Sequence, residues 1–412
     1  MHPTSSTCRI ASLLALSAAL VGCSGSTTDN PPAPGPAPAP PPAGVVSLHF
    51  LNNASANVYD QGSNTNPLSV QVSKDGRIAD DVTITFSASP GTVSPVSTLP
   101  RGGVASTTLS VPAAAPTGAM SITASASATN TVFVPFPAYV RPRPEPLQVL
   151  VPAYFSASTD TATWTALTNS AQSYPDVHIN VVVKPDNATN GIIPTGAYTP
   201  DTGLVSAIDA LKAANAHVKV LGYVATAGGS SGAISLADVQ TTISQYATGY
   251  GAKLDGFYLD GMATDLGHMT SFYQPLVTHI AATTGMGTTP PLVVGNPASY
   301  PVKDYAAIAG VLVTFNGSAA DYQNADPQNA NAAWIYGGKN TAQATQVHTA
   351  ATCSAMQAAV ARANSPRMNT GWIFVTDQTV GAPWTTLPDT VYWKSFLGTV
   401  DAINKGNPLP AC

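Results

Sequence analysis

The stretch HVKVLGYVAT at residues 217–226, followed by LDGFYLDG at residues 254–261, decides the fold of the larger part of this chain. Each stretch is dominated by apolar residues, as is typical of strands that are buried on both faces of a parallel sheet. Residues 236–250 lie between them, and their apolar positions repeat with the period of a helix. A strand, a helix and a second strand in this order predict a parallel β-α-β unit.

The same alternation extends in both directions, from residue 147 to the C-terminus. Eight strands are predicted, at residues 148–155, 179–184, 217–225, 254–260, 291–296, 310–315, 346–349 and 371–377. Helical patterns lie at residues 204–215, 236–250, 268–284, 354–363 and 391–404. The sixth helix is the weakest, because residues 321–340 are rich in Asn and are predicted to form a loop. Eight such units predict an α/β fold, namely a closed (β/α)8 barrel of the TIM type over residues 147–412.

Residues 45–140 have a different pattern, in which short runs alternate apolar with small or polar residues. This pattern is typical of strands with one buried face, and it predicts an all-β, immunoglobulin-like sandwich. The stretch VTITFSASPGTVSP at residues 82–95 resembles bacterial immunoglobulin-like modules. The Arg-Pro-Arg-Pro segment at residues 141–144 predicts a stiff joint to the barrel. The predicted strands are residues 45–51, 68–73, 82–87, 104–111, 120–126 and 131–134.

The N-terminus is predicted to be a targeting segment. Arg9 precedes an apolar run at residues 10–21, and Leu-Val-Gly-Cys at residues 20–23 resembles the lipobox of bacterial lipoproteins. Residues 1–22 are therefore predicted to be a signal peptide, with lipid on Cys23; an ordinary secretory signal is the alternative. The serine at position 24 favours outer-membrane sorting. Residues 23–44, rich in Pro and Ala, are predicted to be a disordered spacer that keeps an exported protein roughly 40 Å from its membrane.

Composition restricts the chemistry. Charged residues make up 9% of the chain and the formal net charge is -5, so nothing indicates a nucleic-acid partner. Neither a metal nor a cofactor is expected, because His268 and His279 lack a third ligand and the Gly-rich residues 228–232 lack the spacing of a phosphate-binding loop. In an oxidising compartment Cys353 and Cys412 are expected to form a disulfide, two free thiols being the alternative.

A family resemblance follows from several of the strand sequences. VLVPAYF at residues 149–155, LDGFYLDG at 254–261, VVGNPA at 293–298 and VLVTFNGSAADY at 311–322 together resemble spherulation-specific family 4. The resemblance implies a (β/α)8 barrel and a glycoside hydrolase that cuts α-1,4-linked N-acetylgalactosamine in secreted amino-sugar polysaccharides. It therefore implies a polysaccharide partner, such as an exopolysaccharide or a biofilm matrix. A monomer, tethered to the outer membrane or cell surface through its lipid, is the expected state.

The residues that the family uses for catalysis are changed in part. The resemblance places Asp260 where the family has the Asp of an Asp-Glu pair, but Gly261 replaces the Glu. Asn316 likewise replaces a Glu after the sixth strand. Glu145 is the only glutamate in the chain, so any carboxylate chemistry depends on Asp. Because glycoside hydrolysis generally needs two carboxyl groups, two alternatives follow: a hydrolase with Asp260 as catalytic residue, or an inactive barrel that binds carbohydrate or retains matrix.

Other residues at the predicted strand ends are candidates for substrate binding. In TIM-type barrels the site lies at the carboxyl ends of the strands, where aromatic rings can stack on sugars and amides can bind hydroxyls. For each aromatic residue, packing within the barrel is the alternative. Asp186 and Asp265 are weaker carboxylate candidates, and His348 is either an interior or a rim residue. The substrate-binding candidates are Asn316, Asn296, Tyr154, Tyr223, Tyr258, Lys184, Asp377 and Trp384.

Overall fold

The computed structural model of the protein describes residues 44–127, 133–229, 234–379, 381 and 383–412. The predicted signal peptide, Cys23 and the spacer up to residue 43 lie outside the described residues, as does most of the Gly-rich loop at residues 228–232. Residues Gly44–Cys412 form one compact unit. The interactions between its N-terminal and C-terminal parts are therefore those of a single body.

The N-terminal part is all-β, as predicted, and is called the β-module below. Its strands are β1 Val46–Phe50, β2 Val58–Asp60, β3 Asn66–Lys74, β4 Arg77–Ile78, β5 Ile84–Ser89, β6 Thr92–Ser94, β7 Ser97–Thr98, β8 Val104–Ser110, β9 Gly118–Ala126 and β10 Phe133–Arg141. One sheet has the order β1-β3-β8-β6 with β4 paired to β3, and the other has the order β2-β10-β9-β5-β7. The two sheets share one hydrophobic core, in which Leu68 of the first and Ile122 of the second are fully buried.

The C-terminal part is a closed barrel of eight parallel strands, which confirms the predicted fold class. Each strand pairs with the next, and the first closes on the last through Val149 and Ile373. Alternate residues of the strands point inward and form a separate core around Tyr258, whereas the others pack against the outer helices. The strands are β11 Gln148–Ala153, β12 Ile179–Val183, β13 Lys219–Ala225, β14 Gly256–Asp260, β15 Leu292–Asn296, β16 Val311–Ser318, β17 Gln343–His348 and β18 Trp372–Val375.

Helices follow most of the strands. A π-helical segment, Met269–Tyr273, joins the fourth helix to the fifth. No helix in the described part of the chain has both the length and the apolar character needed to cross a bilayer. The helices are α1 Thr161–Ser173, α2 Thr202–Ala214, α3 Leu236–Tyr250, α4 Leu266–His268, α5 Gln274–Ala282, α6 Ala319–Tyr322, α7 Cys353–Asn364 and α8 Thr390–Lys405.

The seventh strand of the barrel begins three residues before its predicted start. Strand β17 starts at Gln343 rather than at residue 346, and its polar side chains Gln343 and Thr345 are 2% and 1% exposed. Polar residues in a buried strand interrupt the apolar run that predicts such strands, because the prediction assumes that buried positions are apolar. Strand β16 also extends beyond its prediction to Ser318, with an irregularity between Val313 and Phe315.

The β-module packs on the barrel where the sixth helix is short. Helix α6 has only four residues, and the following segment contains the 3-10 turn Ala333–Gly337. The side chains of Ile335 and Tyr336 from this turn form a buried cluster with Val58 of the β-module. The module thus covers a side of the barrel that the short helix leaves open.

Polar contacts reinforce this interface. Arg367 of the barrel donates to Asn57 of the β-module at 2.8 Å and forms an ion pair with Asp326, also at 2.8 Å. Arg141 at the end of β10 is 3% exposed; it forms an ion pair with Asp60 at 2.6 Å and donates to Asn369 of the barrel at 3.4 Å. Because these charged groups are partnered on both sides of the interface, the junction at residues 141–144 is supported by side chains as well as by the peptide backbone.

A disulfide fastens the C-terminus to the barrel. Cys353, the first residue of α7, is bonded to Cys412 with a Cα–Cα distance of 5.5 Å. Gln357, one turn further along the helix, donates to the carbonyl of Pro410 at 2.8 Å. The last residues of the chain are therefore held against α7.

Candidate active site at the barrel mouth

Asp260 and Asn296 are neighbours at the carboxyl ends of two adjacent strands, the end called the barrel mouth below. Each is the last residue of its strand, and the two are paired in register. Asn296 is 5% exposed and donates through Nδ2 to Asp260 Oδ1 at 2.7 Å. Its own Oδ1 accepts from the backbone N–H of Ala298 at 3.0 Å, which fixes the orientation of the amide. The sequence-predicted residues Asp260 and Asn296 thus lie together in one site.

Tyr223 holds the other oxygen of the same carboxylate. Its hydroxyl donates to Asp260 Oδ2 at 2.8 Å, so each carboxylate oxygen accepts one hydrogen bond. Burial, together with the negative charge of Asp260, raises the pKa of Tyr223 and keeps it a proton donor. Thr226 also donates to the backbone carbonyl of Asp260, at 2.8 Å. Asp260 is therefore a fixed acceptor at the mouth.

Two further tyrosines lie beneath this cluster. Tyr154 packs edge-to-face on Tyr223, with ring centroids 5.0 Å apart, and burial raises the pKa of Tyr154. Tyr258 was predicted at the rim, but it is fully buried inside the barrel, because it lies two residues before the end of β14 and shares the inward side of the strand with Asp260. Its side chain supports the floor of the mouth rather than the rim.

The hydroxyl of Tyr258 is hydrogen-bonded to Gln346, a residue that the sequence analysis did not predict in the site. It donates to Gln346 Oε1 at 2.9 Å, and Asn316 Nδ2 donates to the same oxygen at 3.2 Å. Asn316 and Gln346 are paired in register on neighbouring strands. Gln346 is the first residue of a predicted strand, and the sequence pattern there does not distinguish an amide that binds a ligand from one that is structural. Asn316, which the resemblance places where the family has a Glu, is thus hydrogen-bonded to a second amide side chain.

Aromatic residues line another side of the mouth. Trp384 packs edge-to-face against His348 and Phe374, with ring centroids 5.9 Å apart in both cases. His348 is the last residue of β17 and is half-buried, so it is a rim residue rather than an interior one. Burial lowers the pKa of His348, which favours the neutral ring, while the charge of Asp321 opposes this effect.

The remaining predicted residues are less closely connected to the cluster around Asp260. Lys184 follows directly after β12 and is half-buried. Asp377 accepts from the side chain of Gln378 at 3.0 Å, which is consistent with a role in shaping its loop. Asp186 accepts from two serine hydroxyls, and Asp265 is paired with a histidine at 2.7 Å. Neither Asp186 nor Asp265 is hydrogen-bonded to Asp260 in the described part of the chain.

Gly261 adopts a backbone conformation that suits glycine. Its φ is +65°, in the left-handed region, and a Cβ placed there would have only the backbone N of Ala227 within 4 Å, at 3.8 Å. A side chain at this position is therefore disfavoured by the backbone and not by a lack of space. The replacement of the expected Glu is accompanied by a local conformation that glycine adopts readily.

Comparison with known proteins agrees with this architecture. The family model described as spherulation-specific family 4 matches residues 148–400. No curated protein sequence matches the chain. Among solved structures, Aspergillus clavatus Sph3 in complex with GalNAc is 21% identical, with a TM-score of 0.51, over 62% of this chain and 98% of that chain. A Bacteroides ovatus GH5 xyloglucanase is 10% identical, with a TM-score of 0.39, over 86% of this chain and 100% of that chain. Since the family model covers more than half of the residues and the observed barrel spans the same segment, this chain belongs to spherulation-specific family 4.

Proposed function

We propose that this protein is a glycoside hydrolase that acts on an amino-sugar polysaccharide, with Asp260 as its catalytic carboxylate. The observation that carries the proposal is the cluster at the mouth, in which Tyr223 and Asn296 hold both oxygens of Asp260. A carboxylate fixed in this way is preorganised to stabilise positive charge as a glycosidic bond breaks. It is also suited to accept a hydrogen bond from the N–H of an acetamido group in substrate-assisted chemistry.

The proposed substrate contains α-1,4-linked N-acetylgalactosamine, as in an exopolysaccharide or biofilm matrix. Family membership supports this class of substrate, and the related Aspergillus clavatus structure was solved in complex with GalNAc. The half-buried Trp384 at the mouth offers an aromatic surface for a sugar ring.

A second candidate function is binding without hydrolysis. It is favoured by Gly261 and Asn316, which stand where the family has glutamates, and by the amide pair of Asn316 with Gln346. An amide cannot protonate a leaving group. In this case the mouth would retain the polymer at the cell surface and release no product.

The location is also part of the proposal. We infer that Cys23 carries lipid and that the chain is anchored to the outer membrane or cell surface. The support is the sequence Leu-Val-Gly-Cys at residues 20–23 after an apolar run. Labelling cells with an alkyne fatty acid should tag the wild-type protein and not Cys23→Ser; labelling of both would contradict lipid attachment at this residue.

Reducing-sugar release decides between the two functions. The full chain is incubated with α-1,4-linked N-acetylgalactosamine polymer, and Asp260→Asn is compared with Asp401→Asn, which changes a carboxylate on the outer helix α8. We expect release by the wild type and by Asp401→Asn, and loss of release in Asp260→Asn. Retention of the polymer on immobilised protein without any release would establish the binding function instead. If the wild type neither releases sugar nor retains the polymer, both candidates are wrong.

A further inference from the structure

The helical region that follows Asp260 contains a π-helical turn. The backbone N–H of Gln274 donates to the carbonyl of Met269, five residues earlier, and this bond defines the π-turn Met269–Tyr273. Such turns are rare in proteins and frequently lie at functional sites. Because a π-turn holds an extra residue, consecutive side chains diverge less than in an α-helix. Here it buries two consecutive aromatic side chains, Phe272 and Tyr273.

These two aromatic residues contact the loops that follow β13 and β14. A Cβ on Gly229, in the loop after β13, would lie 3.1 Å from the ring of Phe272, so this ring packs directly on the loop backbone. The hydroxyl of the fully buried Tyr273 accepts from the backbone N–H of Ala263, in the loop after β14, at 3.0 Å. The same hydroxyl lies 3.0 Å from Thr226 Oγ1, in the loop after β13. Tyr273 thus connects the two loops.

The donors around Tyr273 can be assigned, because each hydroxyl has one proton. Thr226 Oγ1 lies 2.8 Å from the carbonyl oxygen of Asp260 and 3.0 Å from that of Gly261. Since a carbonyl only accepts, the proton of Thr226 points at these oxygens, and the hydroxyl of Tyr273 must donate to Thr226. From the N–H of Ala263, a continuous chain of hydrogen bonds passes through the two hydroxyls to the carbonyl of Asp260. Buried hydrogen bonds in such a chain strengthen one another.

This chain closes the backbone turn at residues 260–263. The two hydroxyls connect the carbonyl at the start of the turn with the N–H at its end. The turn is also attached to the next strand, because the N–H of Met262 donates to the carbonyl of Asn296 at 3.0 Å. Since the backbone at Asp260 sets the direction of its side chain, a fixed turn keeps the carboxylate between its two donors, Tyr223 and Asn296.

We propose that Tyr273 is a positioning residue, which acts through Thr226 and the turn at residues 260–263 to hold the Asp260 carboxylate in its catalytic orientation. This inference rests on the proposed function, in which Asp260 is the catalytic carboxylate. Because Tyr273 is fully buried, it acts on the turn and not on the substrate. Loss of its hydroxyl should therefore lower kcat and leave KM unchanged, since the substrate keeps its binding contacts while the carboxylate is less well oriented.

Tyr273→Phe tests the proposal, because it removes the hydroxyl and keeps the buried ring. Reducing-sugar release by the full chain is measured over a range of concentrations of α-1,4-linked N-acetylgalactosamine polymer. We expect kcat to fall about tenfold, with KM within about twofold of the wild type. Tyr305→Phe is the matched control and should keep the wild-type kcat. Tyr305 is also fully buried, its ring lies 5.7 Å from that of Tyr273, and its hydroxyl donates to the carbonyl of Asp265 instead of the turn.

A double-mutant cycle separates positioning from a general loss of structure. Thr226→Val removes the next hydroxyl of the chain and should also lower kcat about tenfold. Combined with Tyr273→Phe, it should lose about tenfold in total and not a hundredfold, because both substitutions break the same chain. Losses that multiply in the double variant, or an equal loss in Tyr305→Phe, would contradict the proposal.

A measurement on the wild type covers the case in which circular dichroism shows that Tyr273→Phe does not fold. The backbone amide of Ala263 should exchange with deuterium at least about tenfold more slowly than in the unfolded chain, because it donates to Tyr273. An unprotected amide would overturn the proposal. If folded Tyr273→Phe keeps the wild-type kcat, the role of Tyr273 is wrong while hydrolysis stands. If the wild type releases no sugar, the proposed function itself fails, and this inference with it.

Discussion

The rings of Tyr139 and Tyr336 pack against each other with centroids 5.0 Å apart, and they belong to different parts of the chain. Tyr139 lies on the last strand of the β-module, and Tyr336 lies in the turn that follows the short sixth helix. Tyr336 is fully buried, and its hydroxyl donates to the carbonyl of Arg367 at 2.8 Å. The β-module therefore packs directly against the barrel at this turn.

Replacing Tyr336 by Ala should destabilise both parts together. The substitution leaves a large cavity at a fully buried position, so we expect a loss of about 3 kcal/mol in the free energy of unfolding. Urea unfolding followed by circular dichroism should show one transition at a lower midpoint. Tyr174→Ala removes a half-buried ring at the C-terminal end of α1, and its loss in the free energy of unfolding should be smaller. Two separate transitions in the wild type would show that the β-module folds independently.

The ion pair of Asp326 with Arg367 should make stability depend on pH in the acid range. Burial opposes the ionised form, but the hydrogen bonds and charge of Arg367 outweigh it, and the pKa of Asp326 is lowered. A carboxyl group with a lower pKa in the folded state contributes stability above its ordinary value of about 3.9, and this stability is lost as the pH falls through the folded pKa. The stability difference between wild type and Asp326→Asn should therefore shrink below about pH 4 in urea titrations. A difference that stays constant from pH 7 to pH 3 would exclude this contribution.

Removing the disulfide should lower stability by about 4 kcal/mol. Cys353 and Cys412 are 59 residues apart, and a cross-link over a loop of this size restricts the unfolded chain strongly. The variant with both cysteines changed to Ser should unfold at a lower urea concentration than the oxidised wild type. Reduced wild type serves as the control and should match the variant. Equal stability of oxidised and reduced wild type would contradict the prediction.

Tyr223→Phe should weaken the function of Asp260 without unfolding the barrel. The change removes the donor to Asp260 Oδ2 and keeps the ring that packs on Tyr154. A hydrogen bond to a charged group is worth about 1.5–3 kcal/mol, so we expect a loss of roughly tenfold to a hundredfold in reducing-sugar release or in affinity. Tyr198→Phe, which removes a hydroxyl that bonds Asn187 outside the mouth, should be neutral. Wild-type activity in Tyr223→Phe would show that this donor is dispensable.

Asn316→Glu should reveal whether the missing carboxyl group limits catalysis. The substitution introduces an ionisable group where the resemblance to the family places a Glu, and general acid-base catalysis contributes about 10²–10⁴ in rate. We expect reducing-sugar release to rise at least about tenfold over the wild type. The same assay on Asn316→Gln, which lengthens the side chain without adding a carboxyl group, controls for the change in size. A rise in both variants would point to an effect of shape.

Much of the fold was predictable because buried parallel strands have a simple sequence pattern. Strand β14 and helix α3 were predicted to within two residues at either end, since their apolar positions are continuous in the strand and periodic in the helix. Helix α1 was not predicted. Its sequence TATWTALTNSAQS is rich in Thr, Ser and Asn, and only Trp164, Leu167, Ser170 and Ala171 are buried. Tertiary packing of a few large side chains, rather than intrinsic propensity, accounts for this helix.

The candidate site was predictable only in part. Asp260 and Asn296 are the last residues of apolar strands, and the barrel geometry brings such strand ends together. The hydrogen bond of Tyr223 to Asp260 depends on the orientation of two side chains on neighbouring strands, and residue spacing does not predict that orientation. Gln346 was not predicted for a similar reason, because its hydrogen bonds with Tyr258 and Asn316 depend on how three side chains are oriented inside the barrel. Such side-chain hydrogen bonds become visible only in the three-dimensional structure.

The contact between the β-module and the barrel also has a mechanical consequence. If a polymer is bound in the mouth, as proposed above, a load on it reaches residue 44 through the barrel and the β-module. At the junction the load divides between the short peptide at residues 142–146 and the surface around Tyr336, Arg367 and Arg141. All of these contacts oppose shear across that surface, whereas a flexible linker without them would let the barrel rotate relative to the β-module. The β-module and the barrel are therefore expected to transmit such a load together rather than through the connecting peptide alone.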